Sequence, residues 1–325
     1  MRNKLTMKVF MMIAMLTFTL LVKAQKPIYK EPGQPVERRV TDLMERMTLE
    51  EKVAQMCQYV GPGHIRETQK RFKGQKIAKG DDANGFYPNL SVNQLLELTE
   101  KGLVGSFLHV VTAKESNDLQ KLAMKSRLQI PLLIGIDAIH GNALVSGATV
   151  YPTPIGQAAS FHPELVERIS REAALEVRAT GAHWTFTPNI DVARDARWGR
   201  IAEGNGEDPY LGSLMAKAYV RGYQGNNMQG NDEILACVKH FALYGASESG
   251  RDYNTVDMSR LRMYNEYLAP YKAAVDAGVG SVMSSFNIVD GIPATANKWL
   301  LTDLLRNEWG FGGLLVTDYN SIAEM

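Results

Sequence analysis

Beyond Ser91 the sequence keeps repeating one unit. A short apolar run rich in Val and Ile ends in polar residues, and an amphipathic stretch with helical spacing follows it. The runs cover residues 104–110, 132–136, 184–187, 234–238, 281–286 and 314–317, and the helical stretches 113–126, 163–180, 209–224, 259–277 and 298–309. Strands alternating with helices predict a parallel sheet with both faces covered, because parallel neighbours need crossover connections. Upstream, Val40, Leu43, Met44 and Met47 fall at helical spacing and predict a helix over 36–47. Thr48 with Glu51 three residues later predicts a capping box that opens a second helix through Cys57.

A doubly wound sheet and a (β/α)8-type TIM barrel both satisfy the alternation. No G-x-G-x-x-G turn follows any strand and no P-loop occurs, which removes the main signature of a nucleotide fold. The barrel is favoured, since one can take up ~250 residues by itself, and with six strands countable rather than eight it is expected to be incomplete at the C-terminus. Between 61 and 91 the chain is rich in Gly, Lys, Asn and Asp without apolar periodicity. Arg66, Lys70, Arg71, Lys73, Lys76 and Lys79 stand there against three acids, with only Phe72 among the charges before Phe86. A solvated excursion is expected, not a nucleic-acid patch.

The N-terminus reads as an address. Arg2, Lys4 and Lys8 precede an almost wholly apolar run over 9–22, and Val22 and Ala24 place small residues at −3 and −1 of a cut before Gln25. That run is short for a membrane span of ~20 residues, so 1–24 is expected to be a signal peptide cleaved after Ala24. A periplasmic protein, off the membrane once cleaved, is the expectation. Without the leader 32 basic residues face 35 acidic ones, so no sequence-wide field exists for gripping nucleic acid. Cys57 and Cys237 are expected as small hydrophobes, not a bridge.

In a barrel the residues leaving the carboxyl ends of the strands surround one mouth. Here those positions hold Asp137-Ala138-Ile139-His140-Gly141, Asn189-Ile190-Asp191, Lys239-His240-Phe241, Asn287 and Asp318-Tyr319, with Arg194, Arg197 and Arg200 on the loop after the third run. Carboxylates accept sugar hydroxyls while Lys and Arg donate to sugar oxygens, so the mixture suits a polyol. The His and Cys spacing of a zinc site is missing, as is a G-x-S-x-G elbow, and no metal or cofactor is expected. Each element also has a plainer reading. Asp318 can cap a following helix, Asp208-Pro209 reads as a cap with proline at the first helical position, and Arg197-Trp198-Gly199-Arg200 can be a surface turn. Asp137 and His140 can tie loops together. Convergence on one mouth is what none of these explains.

The segments MTLEEKVAQM (47–56), GIDAIHG (135–141), TFTPNIDVARDARWGRIAEGNGEDPYL (185–211), CVKHFALYGA (237–246), GRDYNTVDMS (250–259), VMSSFN (282–287) and NEWGFGGLLVTDYNSI (307–322) occur in this order. Together they resemble glycoside hydrolase family 3, especially its bacterial periplasmic β-glucosidase branch. The resemblance covers nearly everything from Glu37 onward and implies a retaining, exo-acting β-glucosidase. Its nucleophile would be Asp318, which attacks the anomeric carbon and forms a glycosyl-enzyme ester. Cationic neighbours such as Lys239 or Arg200 are expected to favour its ionised form. The family's sugar-holding residues map onto Asp137, Arg200, Lys239 and His240, and Arg251 falls near another family arginine. A small β-glucoside or oligosaccharide is the expected partner.

Two departures stand out. Many relatives carry a Tyr at the position of Phe286, and a phenyl ring cannot donate that hydrogen bond. In relatives of this kind the acid/base Glu comes from a following α/β sandwich domain, which is expected to lie outside residues 25–325, and only six strands are countable. The catalytic His of the N-acetylglucosaminidase branch also has no counterpart in Ala242-Leu243-Tyr244-Gly245-Ala246. The chain is therefore expected to turn over ordinary disaccharides negligibly. Two other readings stay open, a catalytically silent sugar-binding fragment and a Schiff-base aldolase using Lys239.

Overall fold

The computed structural model describes residues 26–73, 87, 90–226, 228, 230–323 and 325. The expected signal peptide over 1–24 lies outside the described residues, as do Lys76, Lys79 and Phe86. The chain divides into two compact units, residues 1–53 and 54–325. In the first, a helix spans Val36–Arg46, and Arg46 Nη2 returns to Asp42 Oδ1 one turn back at 2.8 Å. The capping box is present. Thr48 N donates to Glu51 Oε2 at 2.9 Å and Glu51 N to Thr48 Oγ1 at 3.2 Å, opening the helix Leu49–Gln55.

The second unit is built on strands β1 (Gln58–Val60), β2 (Ser106–Leu108), β3 (Leu133–Ile136), β4 (Trp184–Thr185), β5 (Leu235–Phe241), β6 (Ser281–Ser284), β7 (Ile288–Val289), β8 (Ile292–Pro293) and β9 (Leu314–Thr317). β7 and β8 form a separate antiparallel pair; the other seven form one sheet in the order β1-β2-β3-β4-β5-β6-β9, every neighbouring pair parallel. Strictly sequential order excludes the doubly wound alternative, in which the order reverses at a switch point.

The sheet is curled. Laid flat, six spacings of ~4.8 Å would hold β1 and β9 roughly 29 Å apart. Yet Gln58 of β1 and Thr317 of β9 border one cavity of about 500 Å³. The fold is a (β/α) barrel wall of seven strands, and among the described residues no pairing joins β9 back to β1. β2 and β6 are buried at every position, whereas among the described residues β9 pairs with β6 alone, and its residues are half-buried or exposed.

Helices cover the sheet for the reasons their sequences give. Pro163–Ala179 starts with proline at its first turn, is capped by His162 Nδ1 accepting from Leu165 N at 3.2 Å, and buries Val166, Ser170, Ala173, Ala174 and Val177 along one stripe. The neighbouring helix, Pro209–Gln224, opens on the expected Asp208 cap, whose Oδ1 accepts from Tyr210 N and Leu211 N. Gly222 lets these helices close up: a Cβ there would stand 2.4 Å from Glu167 O. The expected helix over 259–277 is three pieces. Arg260–Arg262 leads into a π turn at Met263–Tyr267, and Ala269–Asp276 restarts behind Pro270, which has no N–H to continue the ladder.

Three features depart from expectation. β1 is a seventh strand where only six runs were countable, and a helix, Pro62–Arg71, occupies the start of the supposed excursion. β5 also runs on to Phe241, so Lys239 and His240 lie within the strand rather than past it, where the register with β6 shifts between Val238 and Phe241. Cys57 and Cys237 are both free thiols, Cys237 buried and Cys57 partly so.

Candidate active site

The barrel delivers side chains from separate strands to the cavity of about 500 Å³. Asp137, Ile139 and His140 leave β3, His109 leaves β2, Lys239 and His240 lie just before the last residue of β5, and Asp318 and Tyr319 follow β9; Arg200, Glu203, Tyr253 and Phe286 also line the wall. Five of the six residues singled out from sequence thus meet here: Asp318, Asp137, Arg200, Lys239 and His240. Arg251 does not. It is exposed on the turn after Gly250, where its backbone N–H donates to Glu248 O at 3.1 Å. Of the loop arginines only Arg200 reaches the cavity: Arg194 pairs with Glu266 and Arg197 with Asp195. Asn287 is buried away from it, donating to Ala242 O.

Asp137 is the hub of one charge cluster. Its Oδ1 accepts from Lys239 Nζ at 2.8 Å and its Oδ2 lies 3.0 Å from His109 Nε2. Burial alone would raise its pKa, but Lys239 and His109 outweigh burial and hold the carboxyl well below the ordinary range. Lys239 in turn stays charged: burial works against its ammonium, and Asp137 overcomes it. With 26% of its side chain exposed, Asp137 keeps oxygen lone pairs toward the cavity. His140 does tie its loop, with Nδ1 at 2.9 Å from Tyr151 O. The turn between them requires Gly141, at φ 98°, where a Cβ would stand 2.1 Å from Thr149 O.

Arg200 is gripped by Glu203 through a fork of two bonds, Nε to Oε1 at 2.8 Å and Nη2 to Oε2 at 2.9 Å, and its guanidinium lies 5.6 Å from the centre of the Tyr244 ring. The neighbouring Trp198 is no surface residue: it is buried and donates from Nε1 to Asp252 Oδ1 at 2.9 Å. Tyr253 and Phe286 pack at 4.5 Å between ring centres and form an aromatic flank.

Asp318 does not act as a helix cap. Its Oδ1 accepts from the adjacent Tyr319 N at 2.6 Å, and a turn rather than a helix follows. Its Oδ2 is buried without a hydrogen-bond partner, 3.5 Å from His240 Nε2. Lys239 and Arg200 do favour its ionised form, as expected, but burial outweighs them. Burial pushes the carboxyl up to about 6, against the pull of the Tyr319 amide, Lys239 and Arg200. It is still mostly a carboxylate at neutral pH, with one oxygen at the cavity wall that makes no hydrogen bond.

Sequence reasoning missed His109, Glu203 and Tyr253. His109 was hidden inside the run over 104–110; β2 ends at Leu108, so His109 is the strand-exit residue, held at φ 58°. That outlying conformation fits a residue whose placement matters more than its local comfort. Glu203 carried one signal, its place three residues after Arg200.

Known proteins similar to this chain cover most of its length. Residues 48–325 match the Glycosyl hydrolase family 3 N terminal domain. A periplasmic beta-glucosidase of Salmonella typhimurium is 40% identical over 288 residues, covering 88% of this chain and 34% of the relative. A beta-xylosidase of Formosa agariphila is 41% identical over 214 residues, covering 63% of this chain and 30% of the relative. The crystal structure of a beta-glucosidase from Listeria innocua in complex with glucose superposes with a TM-score of 0.75 at 42% identity, covering 89% of this chain and 38% of that one. The chain thus spans about a third of the length of these three relatives.

Proposed function

This chain belongs to glycosyl hydrolase family 3, and from that premise we propose that it provides the sugar-binding barrel and attacking carboxylate of a retaining, exo-acting β-glucosidase. One observation carries the reading: a single cavity gathers an unpartnered Asp318 oxygen with Lys239, Asp137, Arg200 and His240. In the proposed reaction Asp318 attacks the anomeric carbon of a terminal β-D-glucosyl residue as the bond to the leaving group breaks. Water then hydrolyses the resulting ester. Asp137 would accept sugar hydroxyls while Lys239 and Arg200 donate to sugar oxygens. Contacts that tighten as positive charge grows at the ring favour the transition state. Residues 25–325 would form the barrel domain, and the glucose complex of the Listeria innocua relative makes a glucoside the first substrate to try.

The leader over 1–24 and the name of the Salmonella typhimurium relative together support export to the periplasm. No helix among the described residues is long and apolar enough to cross a membrane.

A second reading, sugar binding with little turnover, draws on the pairing of the other carboxylates. Among the described residues lining the cavity, Asp137 is bound to Lys239 and Glu203 to Arg200, so both carboxylates are already engaged and neither stands free to protonate a leaving group. The Schiff-base alternative loses its footing, since it needs a neutral Lys239 amine and Asp137 holds that amine charged. The test is trapping with a 2-deoxy-2-fluoro glucoside carrying a dinitrophenolate leaving group. Mass spectrometry should find the sugar on the peptide containing Asp318; glucose binding by calorimetry without such labelling would favour the silent reading.

A further inference from the structure

His240 is reached by carboxylates from both sides. Its Nδ1 lies 2.8 Å from Asp191 Oδ2, and its Nε2 lies 3.5 Å from Asp318 Oδ2. Asp191 is buried, does not border the cavity and has no part in the reaction above. It closes a compact ring nevertheless. Its Oδ2 also accepts the backbone N–H of His240 at 3.1 Å, its Oδ1 meets Tyr271 Oη at 2.8 Å, and Tyr271 Oη is 2.7 Å from His240 O.

We propose that Asp191 is a positioning residue that fixes His240 in the tautomer protonated at Nδ1, leaving Nε2 a bare acceptor on the cavity side. A neutral imidazole has one donor and one acceptor nitrogen, so a proton on Nδ1 empties Nε2. Burial, with Arg200 and Lys239 nearby, keeps His240 neutral. The ring gives the same answer for either state of Asp191, which burial pushes up to about 7. Ionised, Asp191 receives the Tyr271 hydroxyl on Oδ1. Protonated, it carries the hydrogen on Oδ1 and gives it to Tyr271 Oη, which then donates to His240 O. Oδ2 is an acceptor for the two His240 N–H groups in both states.

The consequence for recognition rests on the glucosidase reading. Nε2 can only accept, so it selects a sugar hydroxyl that donates, and replacing that hydroxyl by fluorine or methoxyl removes the bond. The tautomer itself does not depend on that reading.

The experiment is 15N NMR of the full chain with labelled histidine, the His240 signals being those missing from His240→Gln. At pH 7 wild type should show a protonated Nδ1 and a bare Nε2. Asp191→Asn can keep a carbonyl oxygen in place of Oδ2 and should retain that pattern and most of the fluoroglucoside labelling rate. Asp191→Ala should lose the pattern, with the labelling rate at saturation falling by about tenfold or more, as when a catalytic imidazole is held in the wrong tautomer. A wild-type Nε2–H or imidazolium overturns the proposal, as does an Asp191→Ala spectrum identical to wild type. Should Asp191→Ala fail to fold by circular dichroism, the wild-type and Asp191→Asn spectra still decide. Absence of labelling with the Nδ1–H tautomer intact would count against the glucosidase reading alone.

Discussion

Lys239 and Asp137, 102 residues apart in sequence, meet at 2.8 Å and join the end of β5 to the loop leaving β3. Lys239→Met leaves Asp137 with His109 as its remaining partner. The expected loss is about 3 kcal/mol at pH 7, the low end for breaking a buried pair because Asp137 keeps contact with the cavity. Asp137 is a depressed carboxyl, so this stability is present above the ordinary carboxylate pKa near 3.9 and fades as pH falls below it. Urea unfolding of Lys239→Met beside Lys239→Met/Asp137→Asn checks the point: the double variant should recover part of the loss, and a single variant as stable as wild type would count against the pair.

Labelling of Asp318 should follow its ionisation. The carboxyl titrates near pH 6, so the second-order labelling rate should climb about tenfold per pH unit in acid and level off above 6. Asp318→Asn should not label. A profile already flat at pH 4.5 would show that burial does not govern this group.

The same burial weakens the fold. Asp318 holds its proton more tightly in the folded chain than in the unfolded one, so wild-type stability falls as pH rises from ~4 to 6 and stays reduced above. Asp318→Asn should therefore be more stable than wild type by ~1–3 kcal/mol at pH 8, with the difference closing near pH 4. Thermal melts at the two pH values read this directly.

Arg200 combines charge with a fork. Arg200→Lys keeps the charge facing Asp318 but cannot reproduce two bonds to Glu203. It should weaken binding of the fluoroglucoside by about tenfold with little movement of the pH midpoint. Arg200→Ala should weaken binding and also shift the midpoint above 6, because a cation that lowers the Asp318 pKa is gone. Equal midpoints in both variants would remove Arg200 from the electrostatics of the nucleophile.

Leaving-group dependence should be steep. With no unpaired carboxyl besides Asp318 itself among the described cavity residues, dinitrophenyl glucoside should outpace cellobiose by far more than the ~10²–10⁴-fold that acid assistance ordinarily levels. Steady-state rates on the two substrates test this, and brisk glucose release from cellobiose by the purified chain would refute it.

What could be read in advance follows burial. β2, β3, β5 and β6 are dense in apolar residues because one face packs under helices and the other faces the barrel interior, and such runs stand out in sequence. β1 is three residues long and opens on polar Gln58, and the helix Pro62–Arg71 buries only Pro62, Ile65 and Thr68, so neither leaves a period to detect. Strand-end position made Asp137, Lys239, His240 and Asp318 visible as a group. It could not separate Arg200 from Arg194 and Arg197, since which arginine turns inward depends on Glu203, Glu266 and Asp195 capturing them. Nor could it show that burial outweighs nearby cations at Asp318, a balance only the packed surroundings set.

β9, which carries Asp318 at its exit, is hydrogen-bonded among the described residues to β6 on one side only. A strand so held frays more readily than a flanked one. On gentle heating, attack on the sugar should therefore fail while the helices and inner strands remain intact, making loss of chemistry an early warning that precedes the melt.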